Sequence, residues 1–309
     1  MRPRAPRLPD RLAVCTTAYP GCERFVRPWH DALLAQTDRD FDLWIALDSI
    51  GPERIEAAAG RPVAARWVRS RRGDTPASIR ARAFDALVDA YDAIVLVDID
   101  DVPLPSRVAA ARRALAGADV AGCALRYCDG HGRPLDGVFR PPPRVPLADL
   151  LPRCNVFGLS NSAYRSAALA RVLPLPADCV LIDWLMASRA AAAGARLAFD
   201  RTPRMIYRRY GGNCAPVRPP FTGRSVLTAA SLVVRHYALL LDGQWPWSPR
   251  RRRPFEAARR RAEMFEHRVR TSAAALRRYV RALNRMPAAQ VWWWSIANPE
   301  LEELWTTSA

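Results

Sequence analysis

The sequence predicts an α/β protein with a central, mostly parallel, Rossmann-like sheet flanked by helices and a C-terminal α-helical extension. Two observations carry this. From residue 12 to about 127, short apolar runs alternate with amphipathic helical stretches, the rhythm of a parallel sheet with helices on both faces. Beyond about residue 221 strand signals stop and a basic helical pattern takes over.

Residues 12–17 (LAVCTT) are an apolar run ending on small polar residues, a buried-strand pattern. Helical spacing over 25–35 leads to a second buried strand at 41–48 (FDLWIALD). A short helix near 52–59, a strand at 65–68 and a long helix over 76–90 follow. Residues 93–98 (AIVLVD) are the most apolar strand, running straight into IDDVPLP before a helix over about 105–116. One more strand is expected at 118–127. After Pro141 the order changes. A small-residue segment at 154–164 precedes short helices, of which 180–194 is the clearest. Two short strands are expected at 195–200 and 204–210, closed by Gly211, Gly212 and Asn213. The chain ends in VWWWSIANPELEELW, and no internal repeat is visible.

With 309 residues, 50% hydrophobic and 25% charged, the chain can bury a sizeable core. It lacks a run of about eighteen uncharged apolar residues, which argues against a membrane-spanning helix. The N-terminal MRPRAPRLPD has no apolar leader region, so a cytoplasmic location is expected. Seven cysteines and no CxxC pair point to reduced thiols. All 47 basic residues are arginine and the net charge is +17, an affinity for phosphates, anionic headgroups or nucleic acid. No nucleic-acid module accompanies them, so no specific nucleic-acid partner is expected.

Sheets of this kind bind ligands at the carboxyl ends of their strands. Thr16, Thr17, Asp48, Asp98, Asp100 and Asp101 collect there. The strongest signal is LVDIDDVPLPSRV at 96–108. Three carboxylates at the end of an apolar strand repel one another unless a cation sits among them. Mg²⁺ and Mn²⁺ take such oxygen ligands and bridge them to substrate phosphates. A helix cap accounts for one of these acids, not three.

Asp98-Ile99-Asp100-Asp101, with Val102 through Arg107 supplying hydrophobic–x–hydrophobic–Pro–x–basic, resembles glycosyltransferase family 2, inverting DxD-type enzymes of the GT-A fold. The resemblance implies that Asp98 lies near the ribose, and that Asp100, with Asp98, holds Mn²⁺ or Mg²⁺ against the donor diphosphate. Residues 12–19 are similar to the family's first strand and nucleotide loop, which casts Thr16, Thr17 and Tyr19 as donor contacts. Asp48 resembles the acid that recognises the base, typically uracil. Residues 73–80 resemble a Gly-containing loop whose Arg, here Arg80, approaches the donor phosphates; Ala81 stands where the family usually has Asn. Residues 155–161 resemble an acceptor loop. Ile182-Asp183-Trp184 resembles the acidic-Trp motif that supplies the general base, Asp183 here, with Ile182 in place of the usual Glu. Residues 205–213 resemble a Tyr-Arg-x-His-x-x-Asn segment, with Tyr210 at the His position and Arg208 and Arg209 as phosphate partners.

The resemblance covers about residues 10–215. It implies a catalytic domain over 1–220, with a nucleotide-sugar half at 10–127 and an acceptor half at 128–220, followed by an Arg/Trp-rich extension at 221–309. The donor is expected to be a nucleoside-diphosphate sugar, UDP-linked, and the acceptor a glycan, lipid-linked glycan, small metabolite or peptide. The rival reading is a catalytically inactive sugar-nucleotide or polyanion-binding protein of the same fold, supported by the missing His and Glu. In the extension, Trp292, Trp293 and Trp294 either pack the tail onto the catalytic domain or mark peripheral contact with the inner face of the plasma membrane.

Overall fold

The computed structural model describes residues 7–211, 219–243, 245–287 and 291–306. Its strands are β1 (Leu12–Ala18), β2 (Asp42–Leu47), β3 (Arg66–Arg69), β4 (Ala93–Leu96), β5 (Val102–Pro103), β6 (Val120–Asp129), β7 (Pro134–Phe139), β8 (Ser162–Arg165) and β9 (Leu197–Arg209). They form one sheet in the order β3-β2-β1-β4-β8-β6-β9-β5, with β7 also paired to β6. The β3-β2-β1-β4 half is parallel, and β6 runs parallel to β9. β8 lies between β4 and β6, antiparallel to both. Every residue of β1 and β4 is buried, as expected for strands covered on both faces.

Local chemistry sets the helix ends. Helix Pro52–Ala59 opens with Pro at its first turn and stops at Gly60, whose φ of 72° suits a residue without Cβ. Helix Pro76–Val88 is capped by Thr75, whose hydroxyl accepts from the Ser78 amide at 3.1 Å.

The expected architecture is present, with local differences: β5 and β7 are additions, and two other segments depart from expectation. The strands expected at 195–200 and 204–210 are one strand, β9, carrying a register shift where Asp200 and then Pro203 face successive residues of β6. Pro203 cannot donate to the ladder and Arg201-Thr202 bulge out, which is why the sequence reads as two strands. The small-residue segment near 154–164 contains the central strand β8. Its Ser, Ala and Tyr lack the β-branched signature, but the site demands small partners: opposite Ser162, a Cβ on Gly122 would meet the Phe199 ring at 2.7 Å.

Two compact units result, Met1–Arg140 with Phe157–Tyr210, and Pro141–Val156 with Gly211–Ala309. Segment 141–156 groups with residues 211–309 in the second of these units. The stitches are visible: Asn155 and Trp292 exchange backbone hydrogen bonds at 3.1 and 3.0 Å, and the Tyr237 hydroxyl donates to Pro152 O at 2.6 Å. Helices Gly223–Leu241, Pro249–Thr271 and Ala273–Arg285 build the body of this second unit. Trp292, Trp293, Trp294 and Trp305 are buried inside it, with Trp294 edge-on to Phe221 and Trp305 edge-on to Phe265. They are core residues and do not form an interfacial belt. Among the described residues, no helix is long and apolar enough to cross a membrane.

Arg107, in the helix Arg107–Gly117 that follows the acidic loop, is only 2% exposed. Its guanidinium donates to Ser162 O at 2.8 Å and Leu96 O at 3.4 Å, tying β8 to the end of β4. Arg107→Met strands both carbonyls and is expected to destabilise the protein by roughly 2–4 kcal/mol in urea unfolding; a loss below about 1 kcal/mol would assign Arg107 no such anchoring role.

Candidate active site

The parallel register aligns the carboxyl ends of β2, β1 and β4: Ala18 faces Leu47 and Cys15 faces Leu96. Beyond β4 the chain stays extended long enough for Val97 N to donate to Cys15 O at 3.1 Å. Val97 and Ile99 are core residues, whereas Asp98 between them and Asp100 after them are only half-buried. The backbone then turns, with Asp101 N donating to Asp98 O at 3.2 Å. Carboxylate oxygens of Asp98, Asp100 and Asp101 all lie within 4.8 Å of one another.

Such a cluster needs a scaffold. Asp101 is enclosed and its two oxygens are taken: the Arg208 amide donates to Oδ1 at 2.7 Å, and the Ser160 hydroxyl contacts Oδ2. Ser160 also touches Asp98 Oδ2 at 3.2 Å and accepts from the Asp98 amide at 3.3 Å. The Arg208 side chain donates from Nε to the Asp100 carbonyl at 2.9 Å. Tyr210 donates to Asp100 Oδ2 at 2.8 Å and lies 3.0 Å from the Tyr19 hydroxyl. Phe25 packs against Tyr210 with ring centroids 5.2 Å apart. Asp98 and Asp100 are the half-buried members of the trio.

The electrostatics follow from this geometry. Burial and then the Asp100 charge push the Asp98 pKa up to about 7, opposed by Arg80 and reinforced by Asp183. Asp101 is pushed up by burial and then by Asp100 and Asp98. The Tyr207 phenol is raised by burial and then by all four acids, Asp101, Asp100, Asp98 and Asp183. Burial likewise raises Tyr19 and Tyr210, so both phenols keep their protons and act as donors. A concentration of carboxylates in which ionisation is resisted by burial is one whose repulsion a divalent cation would relieve. Asp98 and Asp100 are the residues that fit Mg²⁺ or Mn²⁺, with Asp101 committed to holding the loop.

Of the residues expected at the site, Asp98, Asp100, Tyr19, Arg208 and Tyr210 are joined by hydrogen bonds within this network. Arg80 and Asp183 sit close enough to act on Asp98 electrostatically. Asp183 opens helix Ile182–Ala192 and accepts from the Trp184 amide at 2.7 Å. Asp48 closes β2 and accepts from Ser49 Oγ at 3.2 Å. Among the described residues, no hydrogen bond links Asp48 or Arg209 to the acidic trio. Thr16 and Thr17 are buried, and the Thr16 hydroxyl is sealed inside without a hydrogen-bond partner, so Thr16 is not offered to a ligand. Gly212 and Asn213 lie outside the described residues. Ser160 and Tyr207 are site residues that sequence reasoning did not single out. Both belong to segments with family-like motifs, 155–161 and 205–213, which is the signal that could have found them.

No protein-family model matches this chain, and no curated protein does. Solved structures do. Mannosyltransferase PcManGT from Pyrobaculum calidifontis, in complex with GDP-Man and Mn²⁺, is 18% identical with a TM-score of 0.58, covering 93% of this chain and 79% of that one. S. aureus TarS 1-349 is 15% identical with a TM-score of 0.56, covering 86% and 74%. Its complex with UDP-GlcNAc gives 14% identity and a TM-score of 0.53 over 96% and 78%. The chain shares their fold.

The raised Asp98 pKa sets a pH dependence. A carboxyl whose folded pKa exceeds its unfolded value near 4 contributes stability while protonated, and that contribution is lost as pH rises through about 7. Metal-free Asp98→Asn protein is therefore expected to melt higher than wild type at pH 8, with the gap closing toward pH 4. In wild type, Mn²⁺ at a hundredfold excess over its Kd would stabilise by about 2.7 kcal/mol, and its melting shift is expected to shrink at pH 5.5 as protons compete. Thermal melts at the three pH values check both; an Mn²⁺ shift that grows on acidification would contradict the assignment.

Proposed function

We propose that the chain is an inverting glycosyltransferase that moves a sugar from a nucleoside-diphosphate sugar, with uridine as the expected base, to an acceptor nucleophile. The carrying observation is the convergence of Asp98 and Asp100 at the carboxyl end of β4, with Asp183 close enough to perturb Asp98. The neighbours add support, one solved with GDP-Man and Mn²⁺ and another with UDP-GlcNAc.

In this reading Asp98 and Asp100 hold a divalent cation, which when bound supplies Lewis-acid stabilisation of the departing diphosphate. Arg80 adds a positive charge on the same side, suited to phosphate oxygens. Tyr19, Thr17 and Asp48, on the edges of β1 and β2, receive the nucleotide. Tyr210 keeps Asp100 oriented through a neutral donor, and Arg208 fixes the loop backbone instead of reaching for phosphate; Arg209 is left for that role. Asp183 takes the proton from the acceptor as it attacks the anomeric carbon opposite the leaving group. Two carboxylate sites then do opposite work, one stabilising departure and one activating attack. The acceptor class is a glycan, lipid-linked glycan, small metabolite or peptide, and the Arg-rich unit favours an anionic acceptor or an anionic membrane surface beside it, in the cytoplasm.

Asp100→Ala and Asp183→Ala are each expected to lower sugar transfer by about 10²–10⁴ while melting stays close to wild type. Release of nucleoside diphosphate from a sugar-nucleotide panel, with Mn²⁺ or with chelator, is the readout. Wild-type protein that binds a sugar nucleotide but never turns it over under any metal condition would instead mark a non-catalytic binder.

A further inference from the structure

Arg24, near the start of helix Glu23–Leu34, is exposed yet held in place. Its guanidinium carbon lies 4.5 Å from the centre of the Phe25 ring and 5.4 Å from that of Tyr210. The two rings are packed on each other, 5.2 Å between centroids, and Phe25 is buried. Tyr210 is the phenol that donates to Asp100 at 2.8 Å. Arg24 therefore stands one aromatic ring away from the acidic trio, on its Asp100 side.

What holds Arg24 is stacking and not charge pairing. Among the described residues it has no ion pair and no side-chain hydrogen bond. Its neighbour Glu23 is already occupied, by Arg54 and by the Gly21 amide at 2.7 Å. Stacking engages the face of a guanidinium and leaves its N–H groups, which lie in the plane, directed outward. A forked set of donors is thus presented with its orientation fixed and its hydrogen bonds unspent.

Two arginines approach Phe25, and they differ in what they have left to give. Arg208 comes within 5.0 Å of the ring, but it donates from Nε to Asp100 O at 2.9 Å and from a terminal nitrogen to Asp129 O at 3.4 Å. It serves the loop. Charge balance then asks for another cation. A divalent ion between Asp98 and Asp100 is neutralised by those two carboxylates, which leaves the charge of a diphosphate unmet. Arg80 answers part of it beside Asp98. On the Asp100 side, Arg24 is the guanidinium seated on the ring that orients the acid.

We infer that Arg24 binds the outer phosphate of the donor diphosphate, positioned for it by Phe25 and Tyr210. The inference rests on the sugar-nucleotide reading and adds to it a residue from the first helix. Tyr210 then has two tasks: its hydroxyl orients a candidate metal ligand, and its face seats a phosphate ligand. Arg24 suits the second because a guanidinium can meet two phosphate oxygens at once.

Calorimetric titration of the full chain with Mn²⁺ present tests it, using UDP and GDP, each against its monophosphate. Arg24→Gln is expected to weaken the tighter-binding diphosphate by about tenfold or more, and the matching monophosphate by less than about threefold. The melting shift given by Mn²⁺ alone is expected to stay as in wild type, since Asp100 keeps its Tyr210 donor. Asp100→Ala, by contrast, is expected to lose that shift. Equal diphosphate affinity in wild type and Arg24→Gln would overturn the inference and leave the sugar-transfer reading standing. Equal losses for diphosphate and monophosphate would also overturn it, as would a lost Mn²⁺ shift in Arg24→Gln, which would make Arg24 a support of Tyr210 only. Wild-type protein that binds neither diphosphate would overturn both.

Discussion

Mutual repulsion of three carboxylates at the end of one strand is the constraint around which the first unit is arranged. Left to themselves, Asp98, Asp100 and Asp101 would separate into water. The fold prevents this by making the intervening Val97 and Ile99 core residues and by pinning Asp101 between the Arg208 amide and Ser160. The turn leading into β8 delivers Ser160 and β9 delivers Arg208, so two of the strands beyond the parallel half serve the loop. The remaining charge on Asp98 and Asp100 faces outward, where a divalent cation can relieve what the backbone has forced together.

Tyr210 is chemically coherent with the acids it faces. A histidine there would titrate near neutral pH and change charge beside the acids. The phenol, raised by burial, stays neutral and donates to Asp100 while Tyr19 backs it at 3.0 Å. The acidic pair is thus held by a donor that does not respond to pH in the physiological range. The second unit has a different electrostatic character. Its 18 arginines against 8 acidic residues leave it +10 of the chain's +17. Arg277, Arg281 and Arg285 form an exposed row at i, i+4 and i+8 on helix Ala273–Arg285, which contains no acid. Like charges at that spacing oppose the helix by a few tenths of a kcal/mol each, so the row is maintained at a cost that an anionic partner would offset.

Much of this was legible before any coordinates. Apolar runs located β1, β2, β4 and β6, because strands buried on both faces cannot hide their composition. Asp98 and Asp100 were legible because acids have no business at such a strand end without a reason. What escaped notice shares one cause: dependence on distant partners. β8 is built from Ser, Ala and Tyr, and only Gly122 with the Phe157 and Phe199 rings explains why small residues suit a central strand. β9 looked like two strands because Pro203 interrupts its ladder but not its direction. Ser160 and Tyr207 acquire meaning from acids distant in sequence, and the burial of Thr16 depends on neighbours that no local pattern names. The tryptophans near the C-terminus left two readings open in the sequence, and their packing against Phe221 and Phe265 was the missing information.

The central claim is that Asp98 and Asp100 are poised to share a divalent cation while Asp101 is structural. Anomalous diffraction from crystals grown with Mn²⁺ and UDP tests it most directly. The account predicts a single manganese peak within coordinating distance of Asp98 and Asp100, with the Ser160–Asp101–Arg208 contacts unchanged. A peak elsewhere in the chain, or none at saturating manganese, would contradict it.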